Sequence, residues 1–446
     1  MGGQTESSKR RLQNVQTRRT LNDDELATIL ETSLKRGGFE RDDLYLFDTP
    51  LAWIMTNEAH IGDDERKVVI DALATHVGVR ELLNCAVNVG NRDICITPEA
   101  LCGCLLTRTK QVGAIEAVGA LRQFLSQPFC PCDEILALSG LVLDKPIRLS
   151  SEIELVPFSM LNESQITISL SDPKWEYFAR KSDGQIRRRE VQILTKIGRA
   201  DHQSDPSVPT AALRITHHVT PKMRGVAALA PRQDNLNLLH AITNVAAAAA
   251  CVPVFPVAYW WAASPIVPCG DSGLPYQYWN HAKGLRRIAY AEEVRSVLVD
   301  AVGWYIASDD AYRQRMKIPL ERFNVALAAG APVDCAIEMG IALEALLLGD
   351  LTASDQPTLA FRLRGAWLLG RTAEERERLS REFAAIYDCR STAVHRGKLP
   401  DAVKLDGTKI LAAEFLANRG QRLAAAAILE CLKSRTTEWT RIIFGG

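Results

Sequence analysis

The spacing of hydrophobic residues changes twice along the chain, and this change limits the folds available to it. From Leu21 to about Gln127, apolar residues recur at steps of three and four, which predicts amphipathic helices. Between residues 133 and 235 short runs alternate with period two and are separated by Asp, Pro, Ser and Asn, which predicts antiparallel strands. Helical steps return at Leu236 and continue to the C-terminus. A chain of 446 residues also exceeds one compact core, so we predict a multidomain α+β protein.

Five segments follow from these changes of period. They are a disordered basic tail at 1–20, a helical N-terminal region at 21–132, a mainly antiparallel β domain at 133–235, a helical and irregular connector at 236–311, and an all-α helical bundle at 312–446. We expect the tail to be mobile because it has almost no large apolar side chains. A basic arm that contacts nucleic acid is the alternative.

Individual elements can be predicted inside these segments. Thr97 followed by Pro98 has the pattern of an N-cap and the first helical position. A further amphipathic helix is predicted from Ala282 to Ile306, and only helices with short connections from about Tyr312 onward. The predicted strands are Leu141–Leu143, Ile147–Leu149, Ile153–Val156, Ile166–Leu170 and Ala212–Thr216.

Charge and cysteine content bound the possible partners and compartment. The 53 basic residues equal the 53 acidic ones, so a surface that binds nucleic acid must be local. The 11 cysteines and a polar N-terminus predict free thiols in a reducing cytoplasm. Neither a phosphate-binding loop nor a dinucleotide fingerprint is present, and we expect no cofactor.

The uncharged stretch from Val245 to Cys269 is long enough to be considered as a membrane-spanning helix. It contains four prolines, each of which would interrupt a spanning helix. We therefore predict a buried irregular segment after an Ala-rich helix, and no membrane span.

Three C-terminal helices bring charged residues onto apolar stripes. Ile337, Ile341 and Leu348 share one stripe with Glu344. Thr372 and Glu375 form a capping-box pattern that opens a second helix, which is predicted to run to about His395 and to stop at Gly397. A third, Ala-rich helix is predicted from Leu423 to Leu432. The predicted apolar face of the second helix consists of Leu379, Phe383, Ile386 and Val394.

Arg390 lies on that same face, four residues before Val394. Arginine is almost never buried unless it is paired, so we predict that Arg390 meets Glu344. One interpretation is a structural ion pair. The other is an arginine that a carboxylate holds so that its remaining donors face a phosphate.

His395 follows Arg390 by five residues, at the end of the helix. A histidine can take a proton from a ribose 2′-OH and return one to the leaving 5′-oxygen. The arginine would stabilise the charge of the pentavalent phosphate, and no metal is needed. The Arg-x4-His spacing alone has little specificity, because a chain this rich in arginine is expected to contain it by chance.

The surrounding sequence is more specific. The runs Arg322–Leu327, Asp334–Leu347, Leu363–Gly370 and Ile386–Gly397 occur in an order that resembles the HEPN superfamily, particularly its ApeA-like branch. The resemblance extends from about Lys317 to the C-terminus. Segment 312–446 would then be a HEPN domain.

The resemblance implies a helical bundle that is usually dimeric, with two Arg-x4-His helices facing each other across a metal-independent ribonuclease site. Such proteins commonly act as toxins or anti-phage effectors that cut RNA after a phage-derived or protein trigger. By position, Arg390 and His395 are the catalytic residues and Glu344 supports them. Arg396 and Lys398 are assigned to RNA binding.

Two alternatives remain open at this point. Some HEPN domains only bind RNA or protein, and others are regulatory partners whose activity is lost or blocked by another subunit. Ser391 stands where many family members have Asn, Asp or His after the arginine, which puts the rate or specificity of cleavage in question.

Several other patterns have simpler explanations. Cys102-x-Cys104 and Cys130-x-Cys132 could together bind zinc, but small buried residues explain the first pair better, and we expect no metal.

Gly270–Gly273 is similar to the nucleophile loop of trypsin-like proteases, yet Leu274 follows it, so a turn is favoured. His217-His218 is predicted to be an exposed polar pair without a carboxylate partner, and Arg187–Arg189 a solvated basic patch or an aid in steering RNA.

Overall fold

The structure is a computed structural model that describes residues 21–37, 63–76, 78–83, 86–88, 93–127, 130–162, 167, 170, 208–219, 222–223, 235–264, 266–268, 276–277, 288–350, 356–435 and 439–444. The chain is a mixture of helices and strands, with an antiparallel sheet in its middle and a helical C-terminal region, as the period changes predict. It divides into two compact units. The first comprises 1–134, 216–233 and 260–274, and the second comprises 135–215, 234–259 and 275–446.

Helices and strands are numbered in chain order over the described residues. The helices are α1 (Asp23–Gly37), α2 (Asp63–Thr75), α3 (Val79–Leu82), α4 (Pro98–Val112), α5 (Ala114–Ser126), α6 (Leu236–Ala250), α7 (Arg295–Ile306), α8 (Asp310–Ala328), α9 (Pro332–Leu348), α10 (Pro357–Leu369), α11 (Ala373–Arg396), α12 (Ala412–Phe415), α13 (Gln421–Ser434) and α14 (Trp439–Phe444). A π-helix, Leu416–Gly420, joins α12 to α13, and a 3₁₀ turn covers Phe158–Met160. The strands are β1 (Ala86–Asn88), β2 (Asp93–Cys95), β3 (Cys130–Ser139), β4 (Leu141–Val142), β5 (Ile147–Arg148), β6 (Ile153–Pro157), β7 (Ala211–Val219), β8 (Lys222–Met223), β9 (Phe255–Ala263), β10 (Tyr276–Gln277), β11 (Ala289–Tyr290), β12 (Ala402–Leu405) and β13 (Thr408–Leu411).

The first unit is mainly helical. Thr97 caps α4, because its hydroxyl oxygen accepts a hydrogen bond from the Ala100 N–H at 3.1 Å, and Pro98 follows as predicted. The apolar stripes of the helices form its core, with Leu26, Leu30, Leu73, Leu101 and Phe124 fully buried. Two short strands, β1 and β2, pair antiparallel inside the region that was predicted to be wholly helical.

The central sheet has the strand order β10-β9-β3-β7-β6-β5. The pairs β5–β6, β6–β7 and β9–β10 are antiparallel, and Ile153 lies opposite Ile215. Strands β4 to β7 confirm four of the five predicted runs. The fifth prediction, Ile166–Leu170, is wrong at its two described residues: Thr167 and Leu170 are helical, and their three-residue spacing buries both side chains.

Two predictions for the connector are corrected. The stretch after the Ala-rich helix is only partly irregular, because residues 255–263 form strand β9 in the interior of the sheet. Its aromatic and β-branched side chains favour a strand, but Val257 to Trp261 are all buried, so no polar residue alternates with them. Of the helix predicted from Ala282 to Ile306, residues 282–287 lie outside the described residues. Ala289–Tyr290 forms β11, which pairs parallel with β4, and the helix begins at Arg295.

Helices α8 to α11 and α13 pack into one bundle, and α13 confirms the Ala-rich helix predicted there. Phe361 on α10 makes an edge-on contact with Phe383 on α11, their ring centres 6.0 Å apart. Gly365 allows this approach, because a Cβ there would lie 2.7 Å from the Phe383 ring. The large buried side chains of the bundle include Phe323, Met339, Phe361, Phe383, Phe415 and Ile428.

The prediction that only helices follow Tyr312 is wrong, because β12 and β13 form a hairpin. Asp406 and Gly407 connect the strands with φ values of 49° and 83°. This pair of positive φ values is typical of the tight hairpin turn that Asp-Gly sequences favour. As for the membrane, none of the described helices combines the length and apolar character that a span requires.

Gly140 provides a test of the packing around the sheet. Its φ is 99°, and an added Cβ would lie 2.1 Å from the Pro253 carbonyl oxygen. Gly407 has a similar φ of 83° but open space around it. We expect Gly407→Ala to lower the free energy of unfolding by about 1 kcal/mol through backbone strain, and Gly140→Ala by roughly 3 kcal/mol or more because the backbone must also shift. Urea denaturation measures both, and equal losses would contradict the predicted clash.

Candidate functional site

Helix α11 begins and ends where the sequence predicts. The Thr372 side chain accepts from the Glu375 N–H while the Glu375 carboxylate accepts from the Thr372 N–H, which completes the capping box. Gly397 ends the helix in the left-handed conformation with φ of 64°. The 24 residues between them carry the candidate site at their C-terminal end.

The apolar face of α11 becomes exposed toward this end. Leu379, Phe383 and Ile386 are buried as predicted, but Arg390 is 25% exposed and Val394 is 48% exposed. The prediction that Val394 faces the core is therefore wrong. The stripe continues along the helix, but in the last turn the buried position is Ala393 and no longer Val394.

Arg390 meets Glu344, as the two apolar stripes predict. The Arg390 Nη2 donates to Glu344 Oε2 at 2.9 Å, and each side chain is 25% exposed. The contact joins α11 to α9. It places one guanidinium edge against a carboxylate at the boundary between the bundle and solvent, where a charge-assisted hydrogen bond is stronger than in water.

Gly340 on α9 makes this contact possible, and it was not predicted. A Cβ at Gly340 would lie 2.2 Å from the Arg390 Cγ, so the stem of the arginine lies directly against bare helix backbone. The available signal was a glycine one helical turn before Glu344 in an otherwise good helix sequence. Glycine is costly inside a helix, and a close approach by another group explains its presence there.

The ion pair between Arg390 and Glu344 leaves part of both side chains without compensating interactions. Burial raises the pKa of Glu344 above its ordinary value, although Arg390 acts in the opposite direction. The Arg390 Nε is buried and has no hydrogen-bond partner in the part of the chain that the structure describes. An orphaned buried donor costs about 1–3 kcal/mol, so stability alone does not account for the arrangement.

His395 is exposed at the end of α11. Five residues of helix separate it from Arg390 by about 7.5 Å along the axis and about 140° around it. One helix therefore directs the two side chains to different sides. Arg396 and Lys398 are also exposed, and the side chains of these three residues make no hydrogen bond or ion pair with described residues. The structure brings Arg390 and Glu344 together and leaves the other three predicted site residues open to solvent.

Besides Glu344 on α9, the bundle contains a buried carboxylate on α11 that was not predicted from the sequence. Glu382 is only 2% exposed, and it pairs with Arg419 on the π-helix and with Arg378 at 3.8 Å. A single inserted π-turn often marks a functional or strained position. The partner lies 37 residues away along the chain, so no local spacing could have revealed it.

The prediction for His217 is corrected. Its Nε2 lies 3.0 Å from an oxygen of Glu134, which is completely buried, and its ring lies 4.8 Å from that of Trp261. The carboxylate stands on β3, which neighbours β7 in the sheet but is 83 residues away in sequence. His218 remains exposed, as predicted.

The cysteine pairs and the other motifs do not form a second site among the described residues. Cys102 and Cys104 are buried within α4, and burial raises the pKa of Cys102 to about 12. Over the described residues, no three His, Cys, Asp or Glu side chains are grouped so that they could hold a metal ion. Gly270–Gly273, Arg187–Arg189 and the tail at 1–20 lie outside the described residues.

Comparisons with known proteins do not add a relative. No protein-family model, curated protein or solved structure matches the chain. The candidate site is therefore defined by the geometry around α9 and α11.

The packing of Arg390 on Gly340 predicts the effect of one methyl group. Gly340→Ala should lower the free energy of unfolding by about 2 kcal/mol, because the arginine stem must move off α9. Gly303→Ala, at a helical glycine of α7 with open space around it, should raise it by about 0.5–1 kcal/mol. Repeating Gly340→Ala in an Arg390→Ala background should recover part of the loss. Additive effects in this double-mutant cycle would refute the contact.

The raised pKa of Glu344 predicts a pH dependence of stability. A folded-state pKa above the unfolded value means that the folded protein binds this proton more tightly. The contribution of Glu344 to stability is therefore complete below its unfolded pKa and declines as pH rises through its folded pKa. We expect the unfolding free energy of the wild type, minus that of Glu344→Gln, to fall as pH rises above 4.5, the ordinary pKa of a glutamate. Denaturation of both proteins across this range measures the difference, and a difference that rises with pH would contradict the raised pKa.

Proposed function

We propose that segment 312–446 is a HEPN-type, metal-independent endoribonuclease domain. The observation that carries the proposal is the Arg390–Glu344 contact at 2.9 Å, in the helix that ends at the exposed His395. The arginine is held by a carboxylate at the bundle surface, and the histidine stands free on the last turn. An imidazole can transfer the protons and a guanidinium can stabilise the charge on the phosphate when RNA is cleaved without a metal.

The proposed reaction uses the RNA's own nucleophile. His395 takes the proton of a ribose 2′-OH, and the 2′-oxygen attacks the adjacent phosphorus as the bond to the 5′-oxygen breaks. The protonated imidazole then returns this proton to the leaving 5′-oxygen, and the products are a 2′,3′-cyclic phosphate and a 5′-OH end. Arg390 donates to the phosphate oxygens, which carry more charge in the transition state than in the substrate. Arg396 and Lys398 hold the flanking phosphates.

A homodimer supplies the geometry that a single helix lacks. Arg390 and His395 point about 140° apart on α11, so both can reach one phosphate only if a second α11 faces the first. The half-exposed stripe of Ile337 and Ile341 on α9, together with exposed Val394, offers an apolar surface for that contact. A twofold axis beside it would place two Arg-x4-His pairs in one cleft.

In the cell, the protein would act as a toxin or anti-phage effector in the cytoplasm. The region before residue 312 would sense a phage-derived or protein trigger, restrain the nuclease, or select its RNA. A local basic surface at the end of α11 is compatible with RNA binding by a chain of zero net charge.

A second candidate is a HEPN module that binds RNA or protein without cleaving it. The observation in its favour is the same ion pair, because Glu344 neutralises the charge that Arg390 would offer to a phosphate. Ser391 next to the arginine also departs from the commoner polar residues. In this case Arg390 and Glu344 brace α9 against α11. A regulatory subunit with a blocked site is a variant of the same function.

One experiment separates the two functions. Wild type, His395→Ala and Arg390→Ala are expressed, with His218→Ala as the matched control at another exposed histidine. Growth and RNA integrity are followed in cells, and cleavage of RNA is measured with purified protein in the presence of a chelator.

The wild type and the control should cut RNA equally and leave 2′,3′-cyclic phosphate ends. His395→Ala should reduce the rate by roughly 10²–10⁴-fold, and Arg390→Ala by roughly 10²–10³-fold. Cleavage by folded His395→Ala at the wild-type rate, or no cleavage by any protein under activating conditions, would decide for the binding module.

A further inference from the structure

The β12–β13 hairpin presents two lysines side by side. Its register places Lys404 directly opposite Lys409. Val403 and Leu405 point to the other face and are buried, whereas both lysines are exposed. Opposite residues of an antiparallel pair have Cβ atoms about 4.5–5.5 Å apart, so the two ammonium groups share one small area of surface.

This pairing does not serve the stability of the hairpin. Like charges directly opposite each other in a ribbon are destabilising. Neither lysine forms an ion pair with any residue that the structure describes. The cost of bringing the two charges together is therefore not offset inside the described protein, and an anion that contacts both would offset it.

The hairpin is anchored rather than loosely attached. Strand β12 packs on α11, and Asp406 in the turn pairs with Arg381 at 2.9 Å. This contact fixes the tip of the hairpin along the helix, so the lysine pair has a defined position. A charge pair on a rigid element loses less conformational entropy on binding than one on a mobile loop.

The lysine pair also lies in a basic stretch of the sequence. Residues 397–401 connect the end of α11 to the hairpin, and Arg396 and Lys398 are exposed at that connection. From residue 396 to residue 409 the chain has four basic and two acidic residues, in a protein whose total charge is zero. One of the two acids, Asp406, is already paired with Arg381.

We propose that Lys404 and Lys409 form a phosphate-binding site that holds the backbone of single-stranded RNA along α11, on a hairpin whose tip is fixed at Arg381. The inference rests on the proposed nuclease function and names a contact for its substrate. Lysines act as point charges toward phosphate, so the site fixes the position of the strand without reading its sequence. The hairpin would guide one side of the strand while Arg396 and Lys398 hold the phosphates next to the scissile bond.

Binding of an uncleavable RNA tests the site separately from catalysis. The full chain is titrated against a fluorescent single-stranded oligoribonucleotide with 2′-O-methyl riboses, from about 50 mM to about 200 mM salt. The variants are Lys404→Gln with Lys409→Gln, and, as the matched control, Lys317→Gln with Lys433→Gln. The control removes two exposed lysines of the same unit that likewise have no ion pair among described residues.

The hairpin variant should bind about tenfold more weakly at the lower salt concentration, and the slope of log affinity against log salt should become shallower by about 1.4, the value for two lost phosphate contacts. Its melting temperature should equal or exceed that of the wild type, since a repulsion has been removed. The control should match the wild type.

An affinity and a salt slope equal to those of the wild type in the hairpin variant would overturn the proposal. The lysines would then serve to prevent the two edge strands from pairing with another chain. The same holds if the wild type does not bind the RNA. Wild type that binds the 2′-O-methyl RNA through the lysines but cleaves no unmodified RNA would refute the nuclease function and keep the site.

Discussion

The contact between α9 and α11 at Gly340 determines the geometry of the whole C-terminal site. Because glycine leaves the α9 backbone bare, Arg390 can lie flat on it and reach Glu344 one turn further along. The angle and depth at which α11 crosses α9 follow from this approach. Everything that α11 carries beyond Arg390, including exposed His395 and the connection to the β12–β13 hairpin, takes its position from it. A side chain at residue 340 would move all of these features together.

Two carboxylates of the bundle show how the same type of interaction can serve different ends. Glu382 is buried between Arg419 and Arg378, so its charge is matched on two sides and joins α11 to the π-helix. Glu344 has Arg390 as its ion-pair partner, is a quarter exposed, and has a raised pKa. The first arrangement resists change, because removal of either partner leaves a buried charge. The second leaves the Nε of Arg390 without a partner among the described residues.

The features that could be predicted from the sequence are mainly those whose signals are local. The capping box of α11, the Gly397 stop and the Thr97 cap each depend on residues within one turn, and all are present. The Arg390–Glu344 contact was also predicted, because a charge on an apolar stripe needs a partner. Strand β9 was missed because burial on both faces removes alternation. Gly340 and Glu134 were missed because their roles depend on groups far away in sequence. Val394 is exposed because the bundle ends beside it, and the spacing of apolar residues along α11 does not indicate where the bundle ends.

The ion pair between Arg381 and Asp406 has a consequence for how the C-terminal region assembles. It spans 25 positions, and β12 pairs with β13 across a two-residue turn, so these contacts close only short loops. Short loops cost little entropy to close and form early during folding. The central sheet, in contrast, must bring β3 beside β9 across more than a hundred residues. The helix that carries His395 and its hairpin can therefore form their mutual contacts faster than the sheet can, once the chain is free to fold.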